Sequence, residues 1–183
     1  MEKGKAVQNK IKLKDFQDKL KKIDKSYYYL FLIGFNLGLK LKKTIKLNKK
    51  ELDNIIKKRK NEIIRKKKLT EIQEFLEGFD ENEYLFLNNE KKSSKNELNN
   101  DSEKIYLTLK KIAQDVGIDN FSNEILQRSF AFFHYQYFQD IDRTKELLNL
   151  VSPTATLHYM GYEDDRYLCF HCNRGCIYRK KYK

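Results

Sequence analysis

The groups in this chain best able to do chemistry are cations. Between Lys40 and Lys68 the residues Lys40, Lys42, Lys43, Lys46, Lys49, Lys50, Lys57, Lys58, Arg59, Lys60, Arg65, Lys66, Lys67 and Lys68 are opposed only by Glu51, Asp53 and Glu62. Ammonium and guanidinium groups at that density contact phosphates. A net charge of +12 over 183 residues, with a pI near 9.4, implies a polyanionic partner, either nucleic acid or an anionic membrane surface. An AT-rich coding style raises Lys, Asn and Ile everywhere, but it does not by itself concentrate them in one stretch. A second set closes the chain: Cys169, His171, Cys172 and Cys176 offer four soft ligands within eight residues. Structural zinc sites draw ligands from two separated elements, so this cramped set reads as reduced thiols, and no metal or other cofactor is expected. The final Arg179-Lys180-Lys181-Tyr182-Lys183 either adds phosphate contacts or is a solvated end. His134, inside the aromatic run 132–138, reads as a packed or half-exposed helix residue.

These groups need a scaffold, and the composition supplies one. Hydrophobic residues make up 40% of the chain, with 12 Tyr and 12 Phe, enough for one domain with an aromatic-rich core. The longest nearly apolar run, Tyr27 to Leu39, is broken by Gly34, Asn36 and Gly38 and is shorter than the roughly 20 residues of a membrane span, so it reads as a buried helix. The first twelve residues show no apolar signal region, which makes the cytoplasm the default. Leu13, Phe16, Leu20 and Ile23 form the stripe of an amphipathic helix, and the next helix runs from Ser26 to about Lys40. The basic stretch 41–68 is compatible with a strand pair or a broken helix. Thr70 and Gln73 read as a capping box for a helix with Ile72, Phe75, Leu76 and Phe79 inward, ended by Gly78 and Asp80. Residues 88–101, rich in Asn, Lys, Ser and Glu, read as a flexible loop. Ile105, Leu109, Ile112 and Val116 then mark a helix stopped by Gly117. Further helices are expected from Ser122 to Phe138, from near Asp140, and from Ser152-Pro153, an N-cap with Pro at the first helical position. The expected architecture is mainly α with a small β element, a single domain over 12–162 between a basic tail (1–11) and a Cys/basic tail (163–183).

Three stretches, in order, carry a resemblance. Residues 28–40, Tyr-Tyr-Leu-Phe-Leu-Ile-Gly-Phe-Asn-Leu-Gly-Leu-Lys, are similar to an apolar helix ending in a Thr-Gly-Leu-Arg-type turn. Leu126-Gln127-Arg128-Ser129-Phe130 stands where His-x-Leu-Arg-x-x-Phe would, and Leu147 to Tyr159 is similar to Leu-Leu-Gly-His-x-Ser-x-x-Thr-Thr-x-x-Tyr. Together they resemble the catalytic domain of tyrosine recombinases, the phage integrase family. That resemblance implies a Tyr that attacks a DNA phosphodiester, two Arg that clamp the phosphate, and His and Lys that handle protons. The nucleophile falls on Tyr159. The first clamp Arg falls on Lys40, a point charge without the planar two-point contact. The His before the second clamp falls on Glu124, the second Arg on Gln127, and the His before the nucleophile on Leu150. The catalytic Lys is not assignable among Lys57, Lys58, Lys60 and Lys66 to Lys68. Arg128, one residue off, is expected to be rotated about 100° away from the former site. Tyr159 is also one of 12 tyrosines and reads equally as a packing residue of the last helix.

The expected function is therefore a degenerate recombinase that binds double-stranded DNA without breaking it. Lys40, Lys42, Lys43, Lys57, Lys58, Arg59, Lys60, Arg65, Lys66, Lys67, Lys68 and Arg128 would make the contacts, in the replication, partition or maintenance of a plasmid or other mobile element. The Lys/Asn/Ile-rich style also resembles plasmid-maintenance proteins of Lyme-disease spirochaetes. Two alternatives stand beside it. One is an active recombinase or resolvase using Tyr159. The other is an interaction subunit that pairs with itself or an intact recombinase through its C-terminal helix and binds no DNA.

Overall fold

The computed structural model describes residues 6–59, 66–87 and 95–162, and these are mainly helical. Helix α1 (Lys10–Ile23) opens on Asn9, whose side chain accepts hydrogen bonds from the Ile11 and Lys12 amides. Leu13, Phe16 and Leu20 are buried, but Ile23, the expected fourth member of the stripe, is 52% exposed because the helix ends there. Asp24 both terminates α1 and caps α2 (Lys25–Leu37) by accepting from the Ser26 amide. Val7 donates its amide to Ser129 Oγ at 2.8 Å and Gln8 Nε2 donates to the Met160 carbonyl at 3.0 Å. Both residues, read from sequence as part of a tail, are thus tied into the fold, whereas 1–5 lie outside the described residues.

Helix α2 is the centre of the molecule, with Tyr28, Leu30, Phe31, Leu32, Ile33 and Leu37 buried and α1, α5 and α7 packed around it. Each such side chain contributes roughly 1.5–3 kcal/mol by leaving water. Two glycines set how closely α7 (Ile125–Phe138) approaches. A Cβ on Gly34 would lie 2.7 Å from Leu126 Cδ1, and one on Gly38 would lie 2.4 Å from Phe130 Cδ1. Gly38 also ends α2 at φ 62°, a conformation that favours glycine.

Of the stretch 41–68, the described residues form helices rather than a strand pair. Helix α3 (Leu41–Ile45) and α4 (Lys49–Arg59) bury Leu41 and Ile45, then Leu52 and Ile56, each pair four residues apart. That spacing suits a helix face and leaves the lysines in solvent. Of the small β element, the described residues show an isolated antiparallel bridge between Asn48 and Tyr84. Residues 60–65 lie outside the described residues. Helix α5 (Lys66–Leu76) starts before Thr70, so Thr70 and Gln73 are inside it and do not form its cap; the stripe Leu69, Ile72, Leu76 carries the helix through that point.

Helix α6 (Lys95–Gln114) corrects the expected loop 88–101, of which 95–101 are helical and 88–94 lie outside the described residues. The apolar spacing extends further upstream than the polar composition suggested, since Leu98 and Ser102 share the inner face with Ile105, Leu109 and Ile112. Gly117, at φ 73°, closes the turn after it as expected. Helix α7 starts three residues after the expected Ser122. Helix α8 (Ile141–Leu148) is capped by Asp140, and α9 (Pro153–Met160) by Ser152 Oγ, which accepts from the Ala155 amide at 3.1 Å. One face of α7 belongs to the main core. The other joins Leu148, Leu157 and Met160 in a smaller cluster with α8 and α9. No described helix is long and apolar enough to cross a membrane.

Candidate functional site

Three elements converge where α7 begins: the α2–α3 turn with Lys40, the first turn of α7, and α9. Asn123 holds the first two together. Its carbonyl accepts from the Leu41 amide at 2.8 Å and its Oδ1 from the Lys42 amide at 2.6 Å, satisfying the open N-terminus of α3. Lys40 is thereby placed beside Glu124. Asn123 was not singled out in the sequence, although an Asn ahead of a helical run is a capping-type signal that could have found it.

The side chains then form one chain of contacts. Glu124 Oε1 lies 2.7 Å from Lys40 Nζ and Glu124 Oε2 lies 2.9 Å from an Arg128 nitrogen. Another Arg128 nitrogen donates to the Tyr159 carbonyl at 3.0 Å, and the guanidinium carbon stands 4.2 Å from the centroid of the Tyr159 ring. The Tyr159 hydroxyl donates to Gln127 Oε1 at 2.7 Å. Lys40, Glu124, Gln127 and Tyr159, spread over 120 positions of sequence, therefore meet. Leu150 lies in the α8–α9 turn, half-buried against the same apolar cluster as Tyr159, with no proton to give or take.

Arg128 overturns the expectation that it points away from this group. A long helical side chain reaches back over the preceding turn, here to Glu124 four residues earlier, and α9 lies over that turn. At 8% exposure it is buried, so it serves this cluster and not the outer surface expected of a DNA-contacting residue.

The electrostatics follow from this geometry. Burial alone would raise the Glu124 carboxyl, but hydrogen bonds from Lys40 and Arg128 outweigh it and hold the group below its ordinary range. Burial and, secondarily, the Glu124 charge push the Tyr159 phenol well above its ordinary range, against the opposing charge of Arg128. A half-buried phenol that donates its hydrogen bond to a neutral amide is poorly set to become a nucleophile, and none of the described lysines hydrogen-bonds to it.

The wider basic surface divides in two. Lys40, Lys42, Lys43, Lys57, Lys58 and Lys67 are exposed, with Lys42 Nζ 3.3 Å from Glu103 across open surface. Arg59 instead donates to the Leu37 carbonyl and, at 2.8 Å, to the Leu147 carbonyl, bracing the C-termini of α2 and α8. Lys68 donates to Tyr28 Oη at 2.9 Å and to Glu71 at 2.6 Å. Lys66 begins α5. Lys60, Arg65 and the candidate metal ligands Cys169, His171, Cys172 and Cys176 lie outside the described residues. His134 is fully buried, its ring nitrogen 2.9 Å from Thr144 Oγ1, and so packs rather than reacts.

Over 163 residues the chain is 27% identical to "Probable integrase/recombinase YoeC" of Bacillus subtilis (strain 168). The relationship is recombinase-like. The alignment covers 84% of this chain and 87% of that protein, so it is not confined to a single shared helix. No protein-family model and no solved structure matches the chain.

Proposed function

We propose that this chain is a recombinase-derived DNA-binding protein that holds the duplex through its exposed lysines and does not cut it. The observation that carries this reading is the charge balance of the cluster: both oxygens of Glu124 are taken up by Lys40 and by Arg128, whose guanidinium lies against the Tyr159 ring. A phosphate entering there would have to displace a carboxylate already paired with them. Loss of one electrostatic clamp commonly costs about a hundredfold to a thousandfold in rate. Here the position of the first clamp is a lysine neutralised by Glu124, and the second is Gln127, occupied with the Tyr159 hydroxyl.

Binding needs less than cleavage. Lys42 and Lys43 in α3, and Lys57 and Lys58 at the end of α4, present ammonium groups to solvent and would contact phosphates through counterion release. The recombinase-like relationship favours DNA over a membrane surface as the polyanion. Maintenance of a mobile element is the setting in which such a protein would serve.

The test is incubation of the full chain and Tyr159→Phe with nicked suicide duplexes, scoring covalent adducts and, in parallel, binding across a salt series. Equal, salt-sensitive binding by both proteins without adduct is the expected result. An adduct formed by the wild type alone would make the chain an active strand transferase, and absence of binding at low salt would leave an interaction subunit.

A further inference from the structure

Away from the charged cluster, α1, α2, α5 and α7 line a partly open cavity of about 630 Å³. Its walls are aromatic: Phe31, Phe35, Phe133 and Tyr137. The Phe31 and Phe35 rings stack at 5.6 Å, and Phe133 meets Phe35 edge-on at 6.0 Å. The sequence marks this surface only as a helix stripe, and neither the core nor the DNA reading uses the opening.

Two polar features distinguish it from a packing defect. Asn36, only 8% exposed, lines the cavity. Its Nδ2 donates to the Leu32 carbonyl at 2.7 Å, which leaves Oδ1 without a hydrogen bond to any described residue. Solvent still reaches that oxygen, so a donor on a molecule entering the opening can meet it. At the mouth, Lys10 and Lys14 project from one face of α1, Lys10 Nζ lying 6.0 Å from the Phe133 ring centroid. No described carboxylate pairs with either of them, and no acidic residue lines the cavity. Lys68, the third lysine there, is already matched by Glu71.

We propose that this cavity binds a small aromatic anion that carries a ring N–H or hydroxyl donor. The ring lies among the phenylalanines, the donor reaches Asn36 Oδ1, and the anionic group meets Lys10 and Lys14. The volume is within the range of small-molecule sites, which are mostly apolar with a few placed polar groups. A neutral aromatic would leave the two ammonium groups unused, and an aromatic anion without a donor would leave Asn36 unmatched.

The probe is indole-3-propionate, titrated calorimetrically into the full-length chain and compared with its N-methylated analogue. Saturable one-to-one binding is expected, weakened about tenfold by N-methylation, which removes the donor to Asn36. The surface variant Lys10→Glu/Lys14→Glu, checked for unchanged helicity, should also weaken it about tenfold, as expected for two reversed exposed charges. No saturable binding by the wild type, or equal binding by the charge-reversed variant, would overturn the site. Equal binding of the N-methyl probe would overturn the role of Asn36. Heat of binding is read without DNA, so failure here leaves the DNA reading untouched.

Discussion

Glu124 is the residue on which the chemistry of the cluster turns, because it brings an anion to a place that otherwise collects cations. If it screens Lys40 and Arg128 from phosphate, Glu124→Gln should bind duplex DNA about threefold to tenfold more tightly at low salt, with one further phosphate contact reflected in the salt slope. Mobility shift over a salt series measures this, and unchanged affinity would show that the cluster does not face the DNA. The same carboxylate gives a pH signature. Its folded-state affinity for protons is depressed, so its stabilisation is fully present above the ordinary carboxylate range and is lost as pH falls through that range and past the lowered folded-state pKa. Wild type should therefore have a higher Tm than Glu124→Gln near neutrality, with the gap closing in acid. A constant gap would mean that the ion pairs contribute nothing to it. The resemblance picked out Lys40, Glu124, Gln127 and Tyr159 from sequence, and the structure links them through one chain of contacts. The direction of Arg128 was not, because helix rotation accounts for the Cβ alone and a guanidinium spans several more bonds.

At the scale of elements, the α2–α7 contact decides whether the cluster exists. Gly38 sits at φ 62° with the Phe130 ring against it, so Gly38→Ala meets both a disfavoured backbone and a clash. A loss of about 2–4 kcal/mol is expected, about 1–2 from the left-handed conformation and the rest from overpacking. Urea unfolding measures it, and a change below about 1 kcal/mol would mean that α7 can shift without cost. Helix starts were legible where a local cap specifies them: Asp140 and Ser152-Pro153 read correctly because capping involves residues within one turn. Thr70 misled because the buried stripe of Leu69, Ile72 and Leu76 outweighs a local capping preference. The upstream end of α6 was obscured by the Asn- and Ser-rich composition, although Leu98 already lay on the helical period.

At the scale of the molecule, the net charge of +12 is distributed unevenly between recognition and architecture. Lys42 and Lys43 point to solvent, whereas Arg59 ties the ends of α2 and α8 together. Replacing Lys42 and Lys43 with Ala should lower DNA affinity and reduce the log–log salt slope by about 2, with little change in unfolding midpoint. Arg59→Ala should do the reverse, lowering stability by about 1–3 kcal/mol through the loss of charge-assisted hydrogen bonds. Fluorescence anisotropy and thermal unfolding on the same two variants separate the roles. Equal effects on both readouts would show that the surface and the brace are not distinct.

By itself the sequence determined the helical class, a net charge suited to a polyanionic partner and the set of positions that could form a site. Hydrophobic period, net charge and motif order are properties of the chain that need no coordinates. Tertiary structure alone decided which cations are spent inside the protein and which face outward. Arg59 reaches the Leu147 carbonyl, Lys68 the Tyr28 hydroxyl and Arg128 the Tyr159 carbonyl, all groups brought from other helices and 31 or more residues away. The aromatic cavity belongs to the same class of fact. Asn36 reads in sequence as a polar interruption of an apolar helix, and only the packing of α1 and α7 beside it places it in the lining of an aromatic cavity.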